Sequence, residues 1–274
     1  MIFRSLFFIF VYLPWMIVFV PTQWVWSSLR LPGWHFIPRW FHTLGTIFLG
    51  LKVTVMGKPS QGRPTLIVSN HISWTDIVAI GSVANVTFVA KQEIKKWFFV
   101  GFMASLQRSV FVDRNRRTDA KRTTTEMANI MAEGEAVLLF AEGQSDVGTH
   151  VLPFRSALVG AAQQAMVEAG AKDVMIQPLT IAYTRLQGLP VGRTDRNLIA
   201  WIKGKSVKDN IREILTGGMK EVTIAFGEPK PLIAGSDRKK VTKDAENEVR
   251  AMLVALNRGE QVPRPKAAMP AAAE

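Results

Sequence analysis

The sequence contains no cysteine. That absence excludes disulfides, thiolate nucleophiles and sulfur-ligated metals together. Histidine is scarce too, with four residues, and no two of them share the spacing of metal ligands on a helix. Neither a metal site nor a cofactor is expected. Acidic residues are few: 22 Asp and Glu stand against 34 Lys and Arg, a formal charge of +12. Such a balance suits an anionic partner, whether nucleic acid, an acidic bilayer surface or a phosphorylated substrate. Charge is missing altogether from Ser5 to Leu29.

What is present is apolar, and it is concentrated at the front. Hydrophobic residues make up 48% of the 274, enough for one substantial domain with an appendage. The uncharged run exceeds the ~20 residues that cross a hydrocarbon core. Pro14 and Pro21 interrupt it, and Trp15, Trp24 and Trp26 favour an interface. A second apolar, aromatic segment runs from Trp34 to Val55, with Arg30, Arg39 and His42 between or within the two. Two readings follow: one spanning helix, or two shorter helices lying in one leaflet. A cleavable signal is disfavoured because no small-x-small site follows the apolar run. A buried core helix is disfavoured because the stretch has almost no polar face. Residues 1–50 are therefore assigned to a membrane-anchoring segment, residues 51–257 to a globular domain, and the Pro/Ala-rich residues 258–274 to a disordered tail.

Within the domain, strands are expected at Leu51–Met56, Thr65–Ser69, Val86–Ala90, Ser109–Val112, Ala136–Phe140, Val174–Ala182 and Glu221–Phe226. Helices are expected at Trp74–Ser82, Thr118–Met131 and Ser156–Glu168. A last helix is marked by Val241, Ala245, Val249, Met252, Leu253 and Leu256. Alternation of the two predicts an α/β fold with a mainly parallel sheet flanked by helices.

One short segment carries chemistry. Asn70-His71-Ile72-Ser73-Trp74-Thr75-Asp76 follows an apolar strand directly. Five residues of separation put His71 and Asp76 on different faces of a regular helix or strand. They meet only if His71 sits in a turn and Asp76 in the first helical turn, with Ser73 as N-cap. A carboxylate on one imidazole nitrogen fixes the tautomer a general base requires. The competing reading makes Asp76 half of a capping box and His71 an ordinary turn residue. A second feature is the trio Arg114, Arg116 and Arg117 ahead of a helix N-terminus. Cations are unfavourable there unless an anion lies between them and the helix N–H groups. A solvated basic turn facing acidic lipid is the alternative.

Asn70-His71, followed by four residues and then Asp76, resembles the first block of the glycerophospholipid acyltransferase family, whose members include the lysophosphatidate acyltransferases. Further blocks follow in the family's order: Phe88-Val89-Ala90-Lys91 with Glu93, then Phe111-Val112-Asp113-Arg114, then Phe140-Ala141-Glu142-Gly143, then Gln177-Pro178-Leu179. Together they cover roughly residues 50–230. The resemblance implies an O-acyltransferase of phospholipid biosynthesis on the cytoplasmic face of a membrane, that of a bacterial inner membrane. It moves an acyl group from acyl-CoA or an acyl carrier protein to the hydroxyl of a lysolipid, most often lysophosphatidate. It implies His71 as base oriented by Asp76, beside Asn70, with Lys91 near the thioester oxygen or simply solvated at a strand end. Arg114 is implied for the acceptor phosphate, oriented by Asp113, and Glu142 with Gly143 for closing the head-group site. The sequence departs from the family where Ala141 replaces proline and Gln144-Ser145-Asp146 replaces Thr-Arg-Ser. Arg155 could substitute for that lost arginine. Alternatively the acceptor is not a phosphate, since Ser145 to Leu158 resembles the subgroup that acylates lyso-ornithine lipid.

Other classes fit less well. Gly143-Gln144-Ser145-Asp146-Val147-Gly148 is one residue too long for a nucleophile elbow, and the last histidine, His150, comes too soon after Ser145 for the triad order. A non-catalytic basic protein bound to a membrane surface is the second alternative. Nucleic acid is not expected as a partner, because the aromatics gather in the N-terminal segments rather than interleaving with basic residues.

Overall fold

The computed structural model describes residues 2–29, 31–60, 62–113, 117–157, 159–160, 174–232 and 237–262. The Arg114 and Arg116 assignments, most of the helix expected at 156–168, and the tail from 263 lie outside the described residues. Arg117 is the first residue of its helix.

A helix α1 (Ile2–Ser28) opens the chain and continues through both prolines, with a π-helical turn at Phe8–Tyr12 just before Pro14. It is followed by α2 (Phe36–Leu49), which ends at Gly50 in the left-handed conformation, φ +67°. The domain then runs β1 (Leu51–Met56), β2 (Thr65–Ser69), α3 (Thr75–Val83), β3 (Val86–Lys91), a 3-10 turn (Gln92–Lys96), α4 (Phe98–Leu106), β4 (Val110–Val112), α5 (Arg117–Ala132) and β5 (Ala136–Phe140). After it come β6 (Met175–Leu186), β7 (Leu189–Pro190), α6 (Arg196–Ile199), α7 (Val207–Thr216), β8 (Lys220–Phe226), β9 (Lys230–Pro231) and α8 (Arg238–Arg258).

The strands form one sheet in the order β1-β8-β6-β2-β5-β3-β4. From β4 to β6 neighbours are parallel, whereas β8 runs against β6 and pairs in parallel with β1. All residues of β2 (TLIVS) and β5 (AVLLF) are buried. Unbroken apolar runs are what strands covered on both faces demand. Alternate side chains separate two cores. Leu66, Val68, Val137 and Leu139 pack under α5 and α8 with Met131, Val249, Met252 and Leu253. Ile67, Leu138, Phe140 and Ile181 pack on the other face with Leu49, Ala79, Ile80 and Ile214.

The first fifty residues are not a detached anchor. Arg4 Nε donates to the carbonyl of Phe48 at 2.6 Å and its Nη1 to that of Leu215 at 3.1 Å. Near the other end of α1, Gln23 Nε2 donates to the carbonyl of Leu106 at 3.1 Å. Between these ties Tyr12 packs against Phe41 and Phe48. At 1.5 Å per residue, about 29 Å of helix is strapped along the domain. The helix α2 lies so close on α3 that a Cβ on Gly81 would stand 2.3 Å from the His42 ring.

Candidate active site

In an open sheet the crevice outside the carboxyl ends of parallel strands is where ligands bind. Here the β2, β3 and β5 ends bring the loop 70–74, Lys91 and the loop 141–155 to one edge. His71 follows β2 in the turn, and Asp76 lies in the first turn of α3, the arrangement their spacing required.

Asp76 is fully buried and surrounded by donors. Its Oδ2 accepts from His71 Nδ1 at 2.8 Å, from the Ile72 N–H at 2.7 Å and from the Ser73 N–H at 3.0 Å. Its Oδ1 accepts from the Tyr183 hydroxyl at 2.9 Å. The other three partners of Asp76 are all donors, which makes the side chain an acceptor and assigns the proton between the pair to Nδ1. The lone pair of His71 is thereby placed on Nε2, and the side chain is 18% exposed. A neutral imidazole held in that tautomer can take a proton from a hydroxyl approaching through the crevice. The Phe140 ring stacks beneath the imidazole, with centroids 4.0 Å apart.

The contact a capping reading expects and the contact with His71 fall on the same oxygen. Asp76 caps the turn by accepting the Ser73 N–H, and the same oxygen holds the imidazole. Ser73 is not the cap that its residue type suggested. The residue preceding α3 is Trp74, and the buried Ser73 hydroxyl has no partner among the described residues.

Tyr183 went unnoticed in the sequence because it sits inside an apolar strand with no motif around it. Thr75 lies 2.6 Å from its hydroxyl. Since Tyr183 gives its single proton to Asp76, Thr75 donates to Tyr183. Burial, followed by the Asp76 charge, pushes the phenol well above its usual range and keeps it a donor.

Two residues expected to touch substrate are committed to the protein itself. Asn70 is buried, its amide donating to the Ile181 carbonyl and its oxygen accepting the Ile181 N–H, both at 3.0 Å. It fastens the end of β2 to β6. Glu142 is also buried, one oxygen accepting the His71 N–H and the other the Leu152 N–H, each at 2.7 Å. It braces the turn that carries His71 instead of facing the crevice. Burial, assisted by the charges of Asp146 and Asp76, pushes Glu142 up to about 8 against the pull of those two N–H groups. Gly143 takes φ +74° in the tight turn just after it, a conformation side chains resist.

Lys91 is exposed at the end of β3, on the same sheet edge as His71. Arg155 is exposed as well, its Nε donating to the Glu142 carbonyl at 3.3 Å. Asp146 donates its N–H to the His71 carbonyl at 2.9 Å. Its Oδ2 accepts no hydrogen bond among the described residues and lies 3.7 Å from His150 Nδ1. The Ser145 hydroxyl donates to the Trp201 carbonyl, which leaves it no role as a nucleophile. Among the described residues no cluster of His, Asp and Glu could hold a metal ion.

The acyltransferase family profile matches residues 51–182, from β1 into β6. A lyso-ornithine lipid O-acyltransferase of Brucella abortus (strain 2308) is 41% identical over 89% of this chain and 91% of its own length. A 1-acyl-sn-glycerol-3-phosphate acyltransferase of Neisseria gonorrhoeae is 36% identical over 48% of this chain and 50% of its own. Among solved structures, the 1-acyl-sn-glycerophosphate acyltransferase PlsC of Thermotoga maritima shares the fold. The TM-score is 0.63 over 93% of this chain and 95% of that one, at 22% identity. The chain belongs to the acyltransferase family. It is an enzyme of that family, an O-acyltransferase.

Proposed function

We propose that this enzyme transfers an acyl group from a thioester donor, acyl-CoA or acyl carrier protein, to the free hydroxyl of a lyso-ornithine lipid. The observation that carries the chemistry is the His71–Asp76–Tyr183 chain, which leaves Nε2 as the only open nitrogen of the imidazole. His71 takes the acceptor hydroxyl proton as the oxygen attacks the thioester carbonyl. The carbon–sulfur bond breaks, the proton passes to the departing thiolate, and no acyl-enzyme forms. Lys91, on the same edge, supplies positive charge to the carbonyl oxygen.

The acceptor is argued from the residues around the base. Asp146 stands one hydrogen bond from the His71 backbone, where a carboxylate repels phosphate and attracts an ammonium group. Ornithine offers an ammonium for Asp146 and a carboxylate for the exposed Arg155. Likeness to the Brucella enzyme over most of the chain favours the same acceptor, whereas likeness to the Neisseria enzyme covers about half. Lysophosphatidate, the commoner acceptor in the wider family, is the second reading, favoured by the excess of basic residues.

Membrane attachment is part of the proposal. The helix α1 is long and apolar enough to cross a bilayer. Strapped to the domain near both ends, it fits better lying in one leaflet with α2, on the cytoplasmic side where thioester donors are found. The test is an assay of the detergent-solubilised protein with labelled donor, offering lyso-ornithine lipid and lysophosphatidate separately. Acylation of lyso-ornithine lipid alone, lost in His71→Ala, is the expected result. Acylation of lysophosphatidate alone overturns the acceptor assignment, and an active His71→Ala variant overturns the base.

A further inference from the structure

The helix α4 reads FFVGFMASL, and only Gly101 and Leu106 of it are buried. Phe98 is 97% exposed and Phe99 53%; Val100 and Phe102 are also exposed, and Trp97 stands at the entry to the helix. An amphipathic surface helix would turn such side chains inward. Here five large apolar side chains stand exposed within six consecutive residues, the kind of cluster that marks a membrane or partner contact. We propose that the Trp97–Phe102 segment is a second membrane-contact element, inserted into the surface of an anionic bilayer beside the active site. This rests on the membrane attachment proposed above and deepens it.

Three observations favour a bilayer over other occupants. The first is charge. The 3-10 turn leading into α4 exposes Lys95 and Lys96, and Lys91 is exposed just before it, against the single acid Glu93. Lysines bordering exposed aromatics match the arrangement of acidic head groups above acyl chains. The second is continuity. The far end of α4 is tied to α1 by the bond from Gln23 to Leu106, and Met103 and Leu106 share an apolar crevice with Trp15 and Ile37. A surface that receives the exposed side of α1 therefore meets α4 as well. The third is proximity to the chemistry. The Trp97 ring lies 5.9 Å from that of Trp201, and the Trp201 backbone N–H donates to the carbonyl of Ile72, next to His71. Insertion of α4 would set the crevice at head-group depth, where the hydroxyl of a lysolipid is found.

The segment is held rigidly enough to act as a unit. Gly101 passes so near the 3-10 turn that a Cβ there would sit 2.3 Å from the Lys95 carbonyl oxygen. Phenylalanines fixed on such a frame pay little ordering entropy on insertion.

The test uses the absence of cysteine, which makes any introduced thiol unique. The full chain carrying Phe98→Cys, or separately Phe99→Cys, is labelled with an environment-sensitive fluorophore. It is then mixed with vesicles of phosphatidylcholine and phosphatidylglycerol, with and without brominated acyl chains. The control is Lys240→Cys, exposed on α8, which covers the sheet face opposite α2 and α3. Blue-shifted emission and quenching by brominated chains are expected at 98 and 99, but not at 240. Both signals should weaken in phosphatidylcholine alone. Sedimentation of the unlabelled protein with the same vesicles reports separately on membrane attachment. If the protein sediments while the labels at 98 and 99 stay in water, this proposal is overturned and the attachment stands. If it does not sediment, both fail. A blue shift that follows protein concentration without vesicles would assign the patch to a second copy of the chain, and also overturns it.

Discussion

Asp76 holds four hydrogen bonds on two oxygens, and each has a different consequence when removed. Replacing it with Asn puts an amide where Oδ2 or Oδ1 must accept, so one donor is left facing another. Asp76→Asn should lower kcat by a factor of about 10³ or more, by analogy with a triad in which the wrong imidazole tautomer is imposed. Thermal stability should fall too, because the same oxygen holds the Ile72 and Ser73 N–H groups of the turn ahead of α3. Loss of stability with unchanged kcat in the folded fraction would assign Asp76 to capping alone. Tyr183→Phe is a milder change. It removes one donor from Oδ1 and leaves a buried carboxylate oxygen unsatisfied. We expect kcat to drop roughly 10- to 100-fold, by analogy with the loss of a carboxylate or carbonyl partner behind a metal-bound histidine. KM for both substrates should hold, since Tyr183 is fully buried and reaches neither. Steady-state kinetics on folded protein decide the matter, and a raised acceptor KM would contradict the placement.

At the scale of elements, the loop after β5 and the turn after β2 are joined through Glu142. Glu142→Gln should place an amide N–H against the N–H of His71 or Leu152. Lower melting temperature and slower turnover together are the expected pair of effects; stability alone, without turnover, would mean that the His71 turn holds its shape unaided. The contact of α2 on α3 offers a second lever. A Cβ at Gly81 collides with the buried His42 ring, so Gly81→Ala should cost ~1–3 kcal/mol, the range for overpacking a filled core. Denaturant unfolding measures it, and a neutral result would show that α2 can lift from α3 without strain.

For the whole molecule, stability should depend on pH through His42. Burial pulls that imidazole down to about 4, with the hydrogen bond to Gln107 acting in the opposite direction. The unfolded chain therefore takes up this proton near pH 6.5 and the folded chain only near 4. Between those values the unfolded state binds more protons, so stability falls as pH drops through the window. Glu142, pushed up to about 8, acts in the opposite direction over the same range, so the test is a difference: between pH 7 and 4 the wild type should lose stability relative to His42→Gln. An equal slope in the variant would place the sensitivity elsewhere.

Much of this was legible before any fold was known. β2 and β5 have the ends that their apolar runs marked, because a strand buried on both faces leaves no doubt about where polarity resumes. The spacing of His71 and Asp76 fixed a turn followed by a helix, because no regular element brings residues five apart together. A long apolar helix near the N-terminus was evident from twenty-odd uncharged positions. What the local sequence could not supply were contacts between residues far apart in the chain. Tyr183 reaches Asp76 across 107 residues, and only the pairing of β6 beside β2 brings them together. Glu142 and Asn70 look like site residues in isolation, yet tertiary packing turns both onto backbone groups that would otherwise be buried without partners. The strapping of α1 by Arg4 and Gln23, and the exposure of α4, were likewise decided by the fold. Periodicity tells which residues seek a core, but which of them find one depends on what the rest of the chain brings alongside.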